Sequence, residues 1–566
     1  MNLRIIITAG LIASLMAACS SSSTTQSSLL VCTSSTTQSS AIAVSNCHAE
    51  TNFTVAANPD GLPTPSQLNY AVFTRYAYNP EPAQLKAILV LMPGLLGGAG
   101  DFDTMAKTIV GMGKGDIEVW TVDRRSVLLN DFTGIQAAWN KQDPSLALGY
   151  YFSGVSIDGK TYAGVPPTTS VSYMSEWGLD MTLRDLNTII SLIPRQYRKT
   201  NVFLGGHSLG AWIAQDYAGY EFRDPVTSPE PGYDNIAGVV LLDGGGSGMM
   251  QTVTASEYLS GTGMPQNISG MNFTMPSLDQ IRQNPGNVMV VSLIGSAMGS
   301  LGATVESMLL NMFTFVQIEG MYALLQPTQV SPMLRIPQFG LIAAALLGNT
   351  QFKATNQAML GFAMDRNFNP ISIMSATLGS PNGPLTSTTS MFFPGITVSE
   401  PTDNGTMTYT WNSQNHITNI TDLAAVLSNT STTMSERYFP TRLLLDTMVM
   451  GSDYGPTQTT DWRYQQGMHV LYTPEMDAPV IAFGGGAGVE QTSTDFDQYR
   501  GMLPPARNCS GQPRTACGFD IHIMPNYTHL DVLLSDPALT SDNVDAMIYN
   551  WIMSHTTGTM PASALP

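Results

Sequence analysis

Charged side chains are scarce in this sequence. Only 12% of its 566 residues are charged, and 24 basic residues against 42 acidic ones give a formal net charge of −18. Because an acidic surface repels phosphate groups, this balance argues against nucleic acid as a partner and against electrostatic docking on anionic lipids. Hydrophobic residues make up 43% of the chain, well above the content of a disordered acidic protein. The chain therefore carries enough apolar side chain to bury a large core.

The apolar run near the N-terminus is short. It covers residues 5–18, follows a basic residue, and is too short to span a bilayer, which is typical of an export signal. The segment Leu15-Met16-Ala17-Ala18-Cys19 resembles the lipobox of bacterial lipoproteins. The resemblance implies a signal peptide at 1–18 and lipidation of Cys19, which would anchor an exported protein at the outer membrane or cell surface. The alternative is an ordinary cleaved signal and a secreted or periplasmic protein.

Cysteine is also rare, with five in the chain. Beyond Cys19, the other four form two locally spaced pairs, Cys32 with Cys47 and Cys509 with Cys517. In an oxidising compartment such pairs predict two disulfide bonds. A metal site is the alternative, but neither pair has the spacing of metal ligands, so we expect no metal.

Segments typical of strands and helices alternate through much of the chain. After a Ser/Thr-rich stretch at 19–50, predicted to be a flexible tether, the pattern covers 51–243 and returns at 471–566. Alternation of this kind predicts an α/β fold in which helices cover both faces of a mostly parallel sheet. Strands are predicted at 69–78, 85–92, 117–122, 201–204, 236–242, 479–483 and 519–524.

Residues 244–470 differ in character and are predicted to form one inserted cap. They hold 20 of the 33 methionines and are rich in Gly, Thr and Asn. Methionine-rich apolar surface adapts to varied ligands, which would suit a lid over an acyl-binding cleft. Equally, these methionines could fill the core of the cap itself.

The segment Gly206-His207-Ser208-Leu209-Gly210 is the strongest motif in the sequence. A bare G-x-S-x-G is weak evidence, but this one lies between a predicted strand at 201–204 and a predicted helix at 211–220. A nucleophile elbow needs that strand–turn–helix context, in which the glycines allow close packing and the serine hydroxyl projects above the sheet. The motif therefore predicts an exposed, strained serine at the start of a helix.

With this elbow the sequence resembles the α/β-hydrolase superfamily, and its lipases and esterases in particular. The resemblance covers roughly 65–243 and 478–555 and implies Ser208 as an acyl nucleophile. A serine needs a base to take its proton, and in this fold a histidine after the last strand supplies it. His529 follows the predicted strand at 519–524, and the segment Tyr527-Thr528-His529-Leu530-Asp531 is similar to the histidine segment of acid lipases.

The carboxylate that orients the histidine has two candidates. The superfamily usually takes it from the loop after the strand predicted here at 479–483, where Glu490 is the acid available before the next helix. A less common arrangement uses the end of the preceding strand, which gives Asp243. We favour Glu490 and keep Asp243 as the alternative.

Two backbone N–H groups are expected to bind the oxyanion of the intermediate. Leu209, next to the serine, supplies the first. The resemblance implies Leu95 as the second, in the glycine-rich segment Pro93-Gly94-Leu95-Leu96-Gly97-Gly98 that follows the strand predicted at 85–92.

Together these features predict a serine hydrolase that cleaves small-molecule or lipid-like carboxylic esters and requires no cofactor. An acyltransferase or amidase could use the same residues, because the outcome depends on which nucleophile reaches the acyl-enzyme. The alternative from another class is a non-catalytic surface lipoprotein that uses the fold as a binding module.

Overall fold

The computed structural model describes residues 30–34, 40–51, 63–223, 225–246, 252–268, 271–290, 303–336, 350–389, 395–430, 432–451, 458–538 and 543–565. The predicted signal peptide and Cys19 lie outside these residues. Within the described parts, no helix is both long enough and apolar enough to cross a membrane.

A nine-stranded sheet is the centre of the structure. Its strands are β1 Leu30–Ser34, β2 Ile42–Glu50, β3 Tyr70–Tyr78, β4 Ala87–Met92, β5 Ile117–Asp123, β6 Val202–His207, β7 Gly238–Leu242, β8 Val480–Ala487 and β9 Phe519–Thr528. They lie in the order β1-β2-β3-β5-β4-β6-β7-β8-β9. The first three strands pair antiparallel, as do β3 and β5, and all later neighbours are parallel.

Helices cover both faces of this sheet. The α-helices of the described residues, including those of the insertion, are α1 Asp103–Gly113, α2 Thr133–Lys141, α3 Pro144–Ser153, α4 Leu179–Ser191, α5 Arg195–Asn201, α6 Leu209–Gly219, α7 Ala255–Ser260, α8 Leu278–Gln283, α9 Ala303–Leu325, α10 Asn356–Met364, α11 Ile420–Leu427, α12 Thr441–Gly451, α13 Trp462–Gln465, α14 Asp497–Met502, α15 Asp531–Leu534 and α16 Val544–His555. The predicted α/β-hydrolase architecture, a mostly parallel sheet flanked by helices and carrying a large insertion, is confirmed.

Strand β4 shows why the sheet is buried on both sides. Ile88, Val90 and Met92 belong to the core that holds α4, α6 and α12. Ala87, Leu89 and Leu91 point the other way, into the core that holds α1 and α16. A continuous apolar run is what a strand between two helical layers requires, because successive side chains point to opposite faces.

The prediction of a flexible tether at 19–50 is wrong for Leu30–Ser34 and Ile42–Glu50, which are strands. β1 and β2 pair antiparallel at the edge of the sheet, with Cys32 opposite Cys47, and β2 pairs with β3 along nine residues. Composition suggested a flexible segment because serine and threonine dominate it. Ladder hydrogen bonds and the buried side chains of Val44 and Cys47 nevertheless hold the second strand in place.

Both predicted disulfide bonds are confirmed. Cys32 bonds to Cys47 across β1 and β2, and Cys509 bonds to Cys517 in the loop before β9. One therefore fastens the N-terminal edge of the sheet, and the other closes a short loop near its opposite edge.

The insertion lies between β7 and β8. Its helices run from α7 to α13, and it also contains short strands at Met264–Ile268, Met271–Met275, Lys353–Ala354, Ser380–Asn382, Leu385–Thr389, Thr397–Pro401 and Thr408–Asn412. Several of its methionines, among them Met321, Met333 and Met359, are buried in a core of the insertion's own helices with α2 and α3. Those methionines fill a core, which was one of the two interpretations of the methionine-rich composition.

Candidate active site

Ser208 occupies a sharp turn between β6 and α6. Its backbone is strained, with φ of 54° and ψ of −126°, and its side chain is nearly buried. The turn is tight enough that a Cβ on Gly206 would lie 2.0 Å from the carbonyl oxygen of Gly210. A Cβ on Gly210 would lie 2.1 Å from the carbonyl oxygen of Met92. Only glycine fits at both positions, as a nucleophile elbow requires.

His529 comes from the segment that follows β9 and pairs with Asp243, at the end of β7. Their Nδ1 and Oδ2 atoms are 2.6 Å apart, and both residues are buried. Because Nδ1 is engaged by the carboxylate, the other ring nitrogen, Nε2, is the one free to act as a base. The structure therefore brings together His529 and the acid that the sequence ranked second.

Asp243 accepts four hydrogen bonds. Besides His529, the backbone N–H groups of Gly485, Val489 and Glu490 donate to it at 2.8–3.0 Å. Burial alone would raise the pKa of Asp243, but the hydrogen bond and attraction from His529 and the backbone donors outweigh burial and lower that pKa. The carboxylate is thus held in its charged form, which can orient an imidazole and stabilise an imidazolium.

Glu490, the favoured acid, does not contact His529. Its Oε1 accepts a hydrogen bond from the N–H of Gly246 at 2.9 Å, and its Oε2 is buried without a partner. Burial, followed by repulsion from Asp243, raises the pKa of Glu490 to about 8, with the Gly246 donor opposing. The sequence preference for Glu490 is therefore not supported by the geometry. The chain turns after β8 so that the backbone N–H groups of Gly485, Val489 and Glu490, not the Glu490 side chain, point to Asp243.

His207 connects the elbow to the histidine segment. Its Nε2 donates to the backbone carbonyl of His529 at 3.1 Å, and the two rings lie 4.2 Å apart. Burial, reinforced by the neighbouring His529, lowers the pKa of His207 well below its usual range, so the ring is neutral. Sequence reasoning missed this contact, and only its position inside the elbow motif could have suggested it.

The segment 93–98 lies against the same site. A Cβ on Gly94 would come within 2.8 Å of the Cβ of Ser208 and 3.4 Å of His207 Nδ1. The backbone N–H groups of Leu95 and Leu209 have no hydrogen-bond acceptor among the described residues. In those residues the Ser208 hydroxyl likewise makes no hydrogen bond to the His529 ring. Apo sites often have such loose geometry, which tightens in the substrate complex.

Arg124 holds the 93–98 segment in shape. Its guanidinium donates to the carbonyls of Pro93, Gly94 and Gly97 at 2.6–3.2 Å and pairs with Glu436 of the insertion at 2.6 Å. The N–H of Glu436 also donates to the Leu96 carbonyl at 2.8 Å. Nothing in the sequence marked this pair, because its two members are 312 positions apart.

Asp531 plays a similar part beside His529. It is fully buried and accepts hydrogen bonds from the backbone N–H and hydroxyl of both Thr377 and Thr528, and from the Thr418 hydroxyl. Thr377 and Thr418 belong to the insertion. The insertion is thus fastened both to the 93–98 segment and to the histidine segment.

In the parts of the chain that the structure describes, no three His, Cys, Asp or Glu side chains are grouped as a metal site would require. The polar groups at the site are instead the hydroxyl of Ser208 on its strained turn, the His529 imidazole paired with the Asp243 carboxylate, and the backbone N–H groups of Leu95 and Leu209.

Comparison with known proteins gives structural likenesses only. No family model matches the chain, and no curated protein matches it in sequence. A candidate lipase from Sulfolobus solfataricus is similar over 91% of this chain and 95% of its own, with 13% identity and a TM-score of 0.40. A monoacylglycerol lipase from Paleococcus ferrophilus is similar over 86% of this chain and 99% of its own, with 11% identity and a TM-score of 0.30. A loop variant of a haloalkane dehalogenase from Bradyrhizobium elkanii is similar over 90% of this chain and 97% of its own, with 9% identity and a TM-score of 0.32.

Proposed function

We propose that this protein is a serine hydrolase that cleaves carboxylic esters through an acyl-enzyme on Ser208. The observation that carries the proposal is the His529–Asp243 pair beside a strained serine at the carboxyl edge of a parallel sheet. A binding module would have no chemical need for a hydroxyl on a strained turn together with an imidazole held by a charged carboxylate.

The first half of the reaction forms the acyl-enzyme. His529 Nε2 takes the proton of the Ser208 hydroxyl as its oxygen attacks the ester carbonyl carbon, and Asp243 stabilises the resulting imidazolium. The carbonyl oxygen becomes an oxyanion, which we expect the backbone N–H groups of Leu95 and Leu209 to bind. The carbon–oxygen bond to the alcohol then breaks, and the imidazolium protonates the departing alcohol.

The second half releases the acid. Water attacks the acyl-enzyme carbonyl and gives its proton to His529, and the same two donors receive the second oxyanion. The bond to Ser208 breaks, the imidazolium returns the proton to the serine oxygen, and the carboxylic acid leaves. No cofactor takes part in these steps.

The test uses p-nitrophenyl esters of several chain lengths together with a fluorophosphonate probe. We expect hydrolysis of at least one ester and labelling of Ser208, both abolished in Ser208→Ala, with kcat lowered by about 10⁴-fold or more. Hydrolysis that persists in Ser208→Ala would defeat the mechanism. Failure to hydrolyse any ester or to react with the probe would favour the binding-module alternative.

For its location we propose an exported lipoprotein, anchored through Cys19. The support is the lipobox-like segment 15–19 together with two disulfide bonds, which are typical of oxidising compartments. Incorporation of a labelled fatty acid, lost in Cys19→Ala together with recovery in the membrane fraction, would support the anchor. Equal recovery of both proteins in the soluble fraction would contradict it.

A further inference from the structure

Arg437, in the insertion, is a buried cation for which the described part of the chain provides no counter-charge. It is 2% exposed, its Nη2 donates to Gln317 Oε1 at 2.8 Å, and its Nη1 is buried with no hydrogen-bond partner. Among the described residues it forms no ion pair. The rings of Phe132 and Tyr151 lie 5.7 and 5.6 Å from its guanidinium, and its charge also acts on the hydroxyls of Tyr151, Tyr162 and Tyr438.

The other buried arginines of the described chain are better satisfied. Arg124, Arg125 and Arg442 each pair with a carboxylate. Arg198 and Arg514 lack one but make three and four hydrogen bonds respectively, most of them to backbone carbonyls. Arg437, with a single bond to a neutral amide, is the exception in this set. Stacking on aromatic rings offsets part of the cost of burying a guanidinium but supplies no acceptor for its N–H groups.

Two other unpartnered polar groups belong to the segments that supply these contacts. Thr314 is one helical turn before Gln317 on α9, and its buried hydroxyl has no partner. Asn130, two residues before Phe132, has both of its amide atoms buried and unpaired. Buried polar groups are normally hydrogen-bonded, so unsatisfied donors on the segments that contact one buried cation need an explanation.

No carboxylate of the described residues forms an ion pair with Arg437. The carboxylate of Asp131 lies in the same region, since its backbone carbonyl accepts from the Tyr151 hydroxyl. That carboxylate is already engaged by the Tyr150 hydroxyl at 2.8 Å and by Lys160 at 3.1 Å. Glu436, the sequence neighbour of Arg437, pairs with Arg124. Neither of these carboxylates is therefore available to Arg437, whose Nη1 an anionic ligand would satisfy.

This cluster adjoins the proposed oxyanion segment. The N–H of Glu436, one residue before Arg437, donates to the Leu96 carbonyl. Phe313, one residue before Thr314, packs in one apolar group with Leu96. A ligand held by Arg437 would therefore lie on the insertion side of the segment that carries the Leu95 N–H.

We propose that Arg437, with Thr314 and Asn130, binds a carboxylate carried by the substrate, so that the preferred substrates are esters that bear a second, anionic group. The inference rests on the proposed ester hydrolysis at Ser208. A guanidinium matches a carboxylate in charge and in planar geometry, and Nη1 has its hydrogens available. The threonine hydroxyl and the asparagine amide would donate to the same oxygens.

The experiment compares two matched pairs of aryl esters. Mono-p-nitrophenyl glutarate carries a terminal carboxylate, and p-nitrophenyl pentanoate is its neutral counterpart. 4-Acetoxybenzoate and 4-tolyl acetate place the carboxylate on the alcohol side instead. We expect kcat/KM to be about 10- to 100-fold higher for the charged member of at least one pair, the range expected of a charge-assisted hydrogen bond. Equal values in both pairs would overturn the proposal.

Variants connect this preference to the cluster. Arg437→Gln should reduce the charged-to-neutral ratio of kcat/KM to about one, whereas Arg195→Gln, which removes the same charge from an exposed position on α5, should retain the ratio. Thr314→Val keeps the side-chain shape, serves if Arg437→Gln fails to fold, and should lower the ratio several-fold. A ratio that is unchanged in both cluster variants would assign Arg437 a purely structural role and contradict the proposal.

Failure of the proposed hydrolase would be recognised separately. If no ester is cleaved and the fluorophosphonate does not label Ser208, calorimetric titration of the purified protein with glutarate still tests the anion site. Binding by the wild type that is lost in Arg437→Gln or in Thr314→Val would support the site without the hydrolase. Absence of glutarate binding by the wild type would overturn it.

Discussion

Two buried carboxylates follow neighbouring parallel strands, and their pKa values are shifted in opposite directions. Asp243, after β7, accepts four hydrogen bonds and has a lowered pKa, whereas Glu490, after β8, accepts one and has a pKa raised to about 8. Burial acts in the same direction on both. The number of donors aimed at each carboxylate decides which is charged at neutral pH, and only the charged one can support an imidazolium.

The largest expected effect comes from exchanging each acid for its amide. Asp243→Asn should lower kcat by about 10⁴-fold, because an amide favours the wrong tautomer of His529. Glu490→Gln should lower kcat by less than about tenfold, since its side chain does not contact the histidine. Initial rates on a p-nitrophenyl ester measure both. A larger loss in Glu490→Gln than in Asp243→Asn would reverse the assignment of the acid.

A third buried carboxylate, Asp531, is expected to affect stability more than activity, in contrast to Asp243. Asp531→Ala leaves the donors of Thr377, Thr418 and Thr528 without an acceptor, which should cost about 3 kcal/mol of stability. We expect a Tm lower by several degrees in a thermal scan, with part of the activity retained at low temperature. Asp279→Ala, at an exposed position, should shift Tm very little. An unchanged Tm in Asp531→Ala would show that these contacts contribute nothing to stability.

His207 tests whether the Asp243–His529 pair needs support from the elbow. His207→Phe keeps a ring but removes the donor to the His529 carbonyl, and we expect kcat to fall about tenfold, as for the loss of one hydrogen bond. KM should change less, because this ring is expected to orient the base and not to bind substrate. A kcat equal to that of the wild type would restrict the support of His529 to Asp243 and Asp531.

The smallest expected effect concerns stability against pH. The pKa of Glu490 is raised in the folded state, so between its ordinary value near 4.5 and about 8 the folded protein retains a proton that the unfolded chain has lost. Stability from this group is therefore greatest at low pH and declines as the pH rises towards 8. Glu490→Gln removes the decline, and its Tm should exceed that of the wild type by roughly 2–4 °C at pH 8.5 and by less at pH 5. Parallel Tm profiles would contradict the raised pKa.

Local pattern was enough to predict much of the framework. The apolar run at 87–92 could only suit a strand covered on both faces, and the glycines around Ser208 could only suit a tight turn. These features depend on residues close together in the sequence.

The errors have a common physical origin in long-range contacts. Asp243 and Glu490 both follow a strand, and nothing local reveals that the backbone of 485–490 turns its N–H groups towards the aspartate. The strands β1 and β2 were missed because their stability comes from pairing and from the Cys32–Cys47 bond rather than from composition. Arg124 and Glu436 pair across 312 positions.

The double fastening of the insertion has a consequence for protein engineering. Glu436 pairs with Arg124, which binds the turn that follows β4. Thr377 and Thr418 donate hydrogen bonds to Asp531 in the turn that follows β9. The insertion is consequently not an interchangeable module. A chimaera that carries this insertion on another scaffold needs residues that match Arg124 and Asp531 at the two turns. Deleting the insertion removes the contacts that hold both turns, so we expect the 93–98 segment and the His529 segment to shift together.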